Sequence, residues 1–115
     1  MKNEYNFSID KGTDFERQVK WKNQDGTYVD FTGYLIKIPI RALTKKGDLF
    51  IELSNDNGKI IINKETITIV LNDAETLLFK DYTYYYNLDI TKDNITTRLL
   101  EGKISINENV PVKDD

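Results

Sequence analysis

Apolar residues recur at every second position along much of the chain. Tyr34, Ile36, Ile38 and Ile40 form one such row, with Lys37, Pro39 and Arg41 on the opposite side. Tyr84, Tyr86, Leu88 and Ile90 form a second, and Leu100, Ile104 and Ile106 a third. Shorter rows run through Tyr5, Phe7 and Ile9, through Leu49, Ile51 and Leu53, through Ile60 and Ile62, and through Ile67, Ile69 and Leu71. A period of two, rich in β-branched and aromatic residues, marks strands buried on one face. Phe15, Val19 and Trp21 share a face that Arg17 interrupts, with Glu16, Gln18, Lys20 and Lys22 opposite. An unpaired buried charge is costly, so Arg17 is expected at a rim or beside a carboxylate.

Turn signals separate these rows: Lys11-Gly12, Asp25-Gly26, Thr32-Gly33, Lys46-Gly47, Asn57-Gly58 and Asp93-Asn94. Strands of about 5 to 10 residues between closely spaced turns predict an all-β sandwich or barrel, not βαβ units. Asp25-Gly26, Asn57-Gly58 and Asp93-Asn94 are each expected to close a hairpin, and Asp30-Phe31-Thr32-Gly33 to re-aim the chain into the next strand. Pro39 cannot donate to a ladder, which predicts that its strand is an edge or is bulged there. One short helical turn is expected near residues 72–79. Asn72 caps it, Glu75 reaches back, and Leu77, Leu78 and Phe79 dock it. The tyrosine-rich strand that follows is similar to the corner of immunoglobulin-like sandwiches, with Tyr82 and Tyr84 as candidates for the corner hydroxyl. Residues 1–110 read as one domain, Ala42 to Lys46 as a loop and 111–115 as a flexible tail.

Composition narrows the function classes. The chain has 115 residues, 39% hydrophobic and 30% charged, as in a globular domain. No run approaches the roughly 18 apolar residues of a membrane span, and the N-terminus carries no secretory h-region, so the expected site of synthesis is a cytosol. There is no cysteine and no histidine, which removes thiolate chemistry, the usual general base and the commonest metal ligand. The net charge of −3 comes from interspersed signs, and nucleic acid is not an expected partner.

Candidate chemistry is sparse. Ser54 to Ile60 lacks the ligand spacing of a calcium loop. Asp14, Asp30, Asp73, Asp81 and Asp89 suit a paired-carboxylate hydrolase in type only, since each sits beside a turn or cap. Tyr28, Tyr82 and Tyr85 with Trp21 could make a stacking platform for sugar, although Trp21 shares the apolar face of Phe15 and Val19. Tyr85 is the aromatic that the alternation points outward. Catalytic, cofactor-binding and metal residues are therefore all expected to be absent, and the reading is of a non-enzyme.

The order of four segments carries a resemblance. They are FSIDKGTDFERQVKWKNQDGT, VDFTGYLIKIPIR, GKIIINKETITIVLNDAETLLF and YYYNLDITKDNITTRLLEGKISINENV. Together they resemble small virion proteins of tailed bacteriophages, including the N-terminal β-sandwich domain of upper baseplate proteins. The pattern falls on Ile9, Gly12, Phe15, Trp21, Asp25-Gly26, Asp30 to Tyr34, Arg41, Arg98 and Glu101-Gly102. The resemblance implies an immunoglobulin-like antiparallel β-sandwich that acts as a baseplate, tail or head–tail accessory subunit. Partners would be other virion proteins in a homo- or hetero-oligomer, and the location a virion made in a bacterial cytoplasm. Upper baseplate proteins continue into further domains, so an adaptor role is expected in place of fibre anchoring. The expected partner-interface residues are Asp30, Thr32, Tyr34, Pro39, Arg41 and Tyr85. The alternative is a carbohydrate-binding module contacting host glycans.

Overall fold

A computed structural model describes residues 4–42 and 48–108. The expected turn at Lys46-Gly47, residues 43–46 of the expected loop and the expected tail at 111–115 lie outside the described residues. Ala42, read as the start of a loop, is instead the last residue of a strand. The elements are β1 (Phe7–Asp10), β2 (Phe15–Val19), β3 (Leu35–Ala42), β4 (Leu49–Ser54), β5 (Ile60–Asn63), β6 (Thr66–Leu71), α1 (Asp73–Thr76), β7 (Thr83–Lys92) and β8 (Ile95–Asn107).

Two sheets form, ordered β1-β8-β7-β3-β4 and β2-β6-β5. Strands two, six and five make one sheet, and strands three, four, seven and eight, joined by β1, make the other, as in immunoglobulin sandwiches. Among the described residues the strand pairings are antiparallel except that of β1 with β8, which is parallel and is extended by the Glu4–Glu101 bridge. The inward rows of the two sheets meet in one apolar cluster, in which Ile36, Ile67 and Ile104 are fully buried. Phe31, in the connector before β3, is buried among them. Burial of a side chain of this size is worth about 1.5–3 kcal/mol.

Pro39 does not make an edge. Its strand β3 pairs with β4 on one side and β7 on the other. The ladder to β7 instead opens at Ile38 and Pro39, between the pairs Lys37↔Asp89 and Ile40↔Tyr86. The missing N–H is thus absorbed by a local gap in an interior strand. On the β4 side the register shifts between Ile40 and Arg41, whose partners are Ile51 and Leu49. Phe50 is the extra residue of this bulge, and it turns inward against Phe79 and Tyr84, with ring centroids 4.9 and 5.1 Å away. Leu49, expected inside, is left exposed, because one inserted residue exchanges the faces of a strand.

Asn57-Gly58 does not close a hairpin either. β4 and β5 belong to different sheets, and β5 pairs with β6 across Lys64 and Glu65. The Ser54–Lys59 segment is a crossover held by its own side chains. The Ser54 hydroxyl accepts from the N–H groups of Asp56 and Asn57, and the Asn57 amide oxygen accepts from those of Ser54 and Lys59. Asp93-Asn94 does close the β7–β8 hairpin, both residues at positive φ, as a two-residue turn of this hand requires. Asp25-Gly26 closes a small one, bridged antiparallel at Lys22 and Tyr28.

The helical turn has the expected capping box, with both Asn72–Glu75 bonds at 2.8 Å. Asp14 also accepts from the Asp73 N–H at 2.8 Å. The buried Thr76 hydroxyl donates to the Thr13 carbonyl and accepts from the Gly12 N–H, tying α1 to the β1–β2 turn. Only Phe79 docks on the core; Leu77 and Leu78 are 60% and 59% exposed. Of the two corner candidates, Tyr84 fills the role. Its hydroxyl accepts from the N–H groups of Lys80 (2.7 Å) and Asp81 (3.0 Å), whereas Tyr82 is exposed.

The inward row of β8 skips a side chain at Gly102, and the chain uses the space. A Cβ there would stand 2.0 Å from the Tyr5 carbonyl oxygen. That carbonyl accepts from the Tyr86 hydroxyl at 2.6 Å, and the Asn6 side chain accepts from the Lys103 N–H. Gly102→Ala is expected to cost about 1–3 kcal/mol or more, because the atom in the way is backbone; urea denaturation measures it. Burial, then the neighbouring Tyr5, raises the Tyr86 pKa above the usual tyrosine range. The unfolded chain therefore ionises this group first as pH rises, so its contribution is whole below pH about 10 and shrinks above it. Tyr86→Phe, less stable at neutral pH, is expected to close its gap to the wild type by up to about 1.4 kcal/mol per unit between pH 10 and 11. Urea midpoints across that range check it, and a constant gap would contradict it.

Candidate interaction surface

The outward residues of the central strands share one surface. Arg41 on β3 lies opposite Tyr85 on β7, which lies opposite Lys103 on β8. The Lys103 ammonium is 5.8 Å from the centre of the Tyr85 ring. A planar cation, an aromatic ring and an ammonium thus form a row across three adjacent strands, on the reverse of the core. Pro39 faces the same side from β3.

A second row borders the first. Asn87 lies opposite Glu101, and Asp89 opposite Arg98. Asp89 accepts from Arg98 Nε at 3.0 Å and from the Asn87 side chain at 2.9 Å. The hydrogen bond to Asp89 raises the Arg98 pKa above its usual value, although the guanidinium is a cation with or without it. As an exposed pair it adds little to stability; its effect is to order the surface. Arg41, Tyr85, Asn87, Arg98 and Glu101 line a cleft of about 220 Å³ there.

Asp30, Thr32 and Tyr34 lie elsewhere, in the connector before β3. The Asp30 carboxylate accepts from the Thr32 N–H at 3.0 Å. Hydrogen bonding from the Thr32 side chain and backbone, with Lys64 and Lys92 nearby, lowers its pKa. The Lys92 ammonium sits 5.0 Å from the Tyr34 ring centre. The six expected interface residues therefore divide into two groups: Pro39, Arg41 and Tyr85 on the sheet face, and Asp30, Thr32 and Tyr34 at the connector.

The other candidates are spread over the molecule. Tyr28 is flanked by the ammonium groups of Lys20 and Lys22, Tyr82 lies at the β6–β7 corner, and Tyr85 is on the sheet face. Trp21 packs half-buried against the core. Asp14 and Glu75 come together beside Glu16, yet Asp14 caps α1, and Glu75 completes the capping box and pairs with Lys59. Among the described residues no cluster of carboxylates could hold a metal ion. Of the two places expected for Arg17, it takes a partly exposed one and not one beside a carboxylate: its guanidinium lies over Phe7 and Phe15 and donates to the Tyr5 hydroxyl.

Sequence reasoning missed Lys103 and the Asp89–Arg98 pair. The pair was recoverable, because a two-residue loop at Asp93-Asn94 sets Asp89 opposite Arg98. No protein-family model matches the chain, and no curated protein matches it either.

Proposed function

We propose that the protein is a non-enzymatic assembly subunit of a tailed-phage virion, a baseplate, tail or head–tail adaptor acting through protein–protein contacts. The observation that carries the reading is the Arg41–Tyr85–Lys103 row with its ordered Asp89–Arg98 flank. Arginine and tyrosine are the residue types that dominate binding energy in protein interfaces. Held on the three middle strands of a five-stranded sheet, they are pre-organised, which lowers the entropy lost on docking. The ordered resemblance of Phe7 to Val110 to phage virion proteins supplies the biological setting.

Mass spectrometry and negative-stain microscopy of purified particles test the assignment. The protein is expected in the particle at a fixed stoichiometry; abundance in infected cells with absence from particles would falsify it. The double variant R41A/Y85A is expected to stay folded by circular dichroism but to leave particles depleted of the subunit at least about tenfold. Wild-type levels of incorporation would move the contact elsewhere.

A further inference from the structure

β2 forms one edge of the three-stranded sheet. β1, the strand before it, hydrogen-bonds instead to β8 in the other sheet. Among the described residues the outer ladder of β2, Phe15–Val19, therefore has no strand beside it. A cleft of about 420 Å³ opens along this edge between the sheets, with Val19, Trp21, Leu100 and Tyr5 supplying its apolar wall and Glu4, Gln18 and Lys20 its polar rim. Arg17 projects from the same face of β2 as Val19. Its guanidinium is held by the Phe7 and Phe15 rings, 5.4 and 5.5 Å from their centres, and by the Tyr5 hydroxyl. Among the described residues no carboxylate pairs with it.

We propose that the β2 edge accepts an extended segment of another protein as a fourth strand, with a carboxylate on Arg17 and an apolar side chain in the cleft beside Val19 and Trp21. The free ladder supplies main-chain hydrogen bonds, and alternate side chains of the added strand read the face beneath. Arg17 and Val19 are two residues apart, so the guest needs an acid and an apolar residue at the same spacing. The two rings fix the guanidinium before binding, and its planar fork suits a carboxylate. Arg17 and Lys20 outweigh Glu4 along this edge, and that net positive charge selects an acidic extended peptide. The site lies on a different sheet from the Arg41–Tyr85 face, so failure of one assignment leaves the other standing.

Trp21 is the single tryptophan of the chain, and its place in the cleft makes its fluorescence the readout. The probe is a capped heptapeptide, Thr-Leu-Thr-Glu-Thr-Leu-Thr, which presents the same inward pattern in either strand direction. A saturable change in Trp21 emission is expected, and exchanging Glu for Gln in the peptide weakens binding at least about tenfold. Arg17→Gln brings the Glu peptide to the affinity of the Gln peptide; should that variant not fold, the two peptides on the unaltered protein decide alone. Equal binding of the two peptides, no saturable change at millimolar peptide, or a response to soluble polysaccharide only would each overturn the proposal.

Discussion

The backbone of Tyr5 lies where a side chain on residue 102 would have to be. That close approach lets the N-terminal segment rest on β8, where the Tyr86 hydroxyl ties down its carbonyl. From that point the chain continues as β1 in parallel with β8. Tyr5 and Phe7 are thereby set beneath Arg17, and the three-stranded sheet is left without a strand at β2. A larger residue at 102 would disturb all of this together, since it would lift the first strand from its sheet.

β7 joins the interior to the surface. Its inward tyrosines anchor the corner through Tyr84 and the N-terminal crossing through Tyr86. Its outward residues, Tyr85, Asn87 and Asp89, carry the middle of the charged face. Adjacent side chains on one strand thus serve packing and presentation in turn, and the rigidity of the first is inherited by the second. The Pro39 gap in the neighbouring ladder is tolerated because β3 keeps partners on both sides.

Much of this could be read from the sequence because it depends on local order. The alternation in Tyr84 to Ile90 and Leu100 to Ile106 fixed which side chains are buried, and the Asn72–Glu75 cap needed only its own spacing. The errors came where a non-local partner decided. Asn57-Gly58 has the residue types of a hairpin turn, but β5 finds its partner in β6. Pro39 marks a missing donor, and pairing elsewhere on β3 makes that loss bearable inside a sheet. Phe50 takes the inward place expected of Leu49 through a bulge that no period of two encodes. Arg17, expected at a rim or beside an acid, is partly exposed and meets stacked rings, which only the folding of β1 across the seam brings near. For the six interface residues, sequence placed Arg41 and Tyr85 on outward faces correctly but gave no sign that Asp30, Thr32 and Tyr34 form a separate group.

The functional account rests on one claim, that the Arg41–Tyr85–Lys103 face is covered by a neighbour in the assembled state. The chain has no cysteine, so a Tyr85→Cys variant offers a single thiol on that face. Its rate of maleimide labelling, compared between the free protein and purified particles, tests the claim most directly. The account predicts fast labelling in solution and protection by at least about tenfold in the particle. Equal rates in the two states would contradict it.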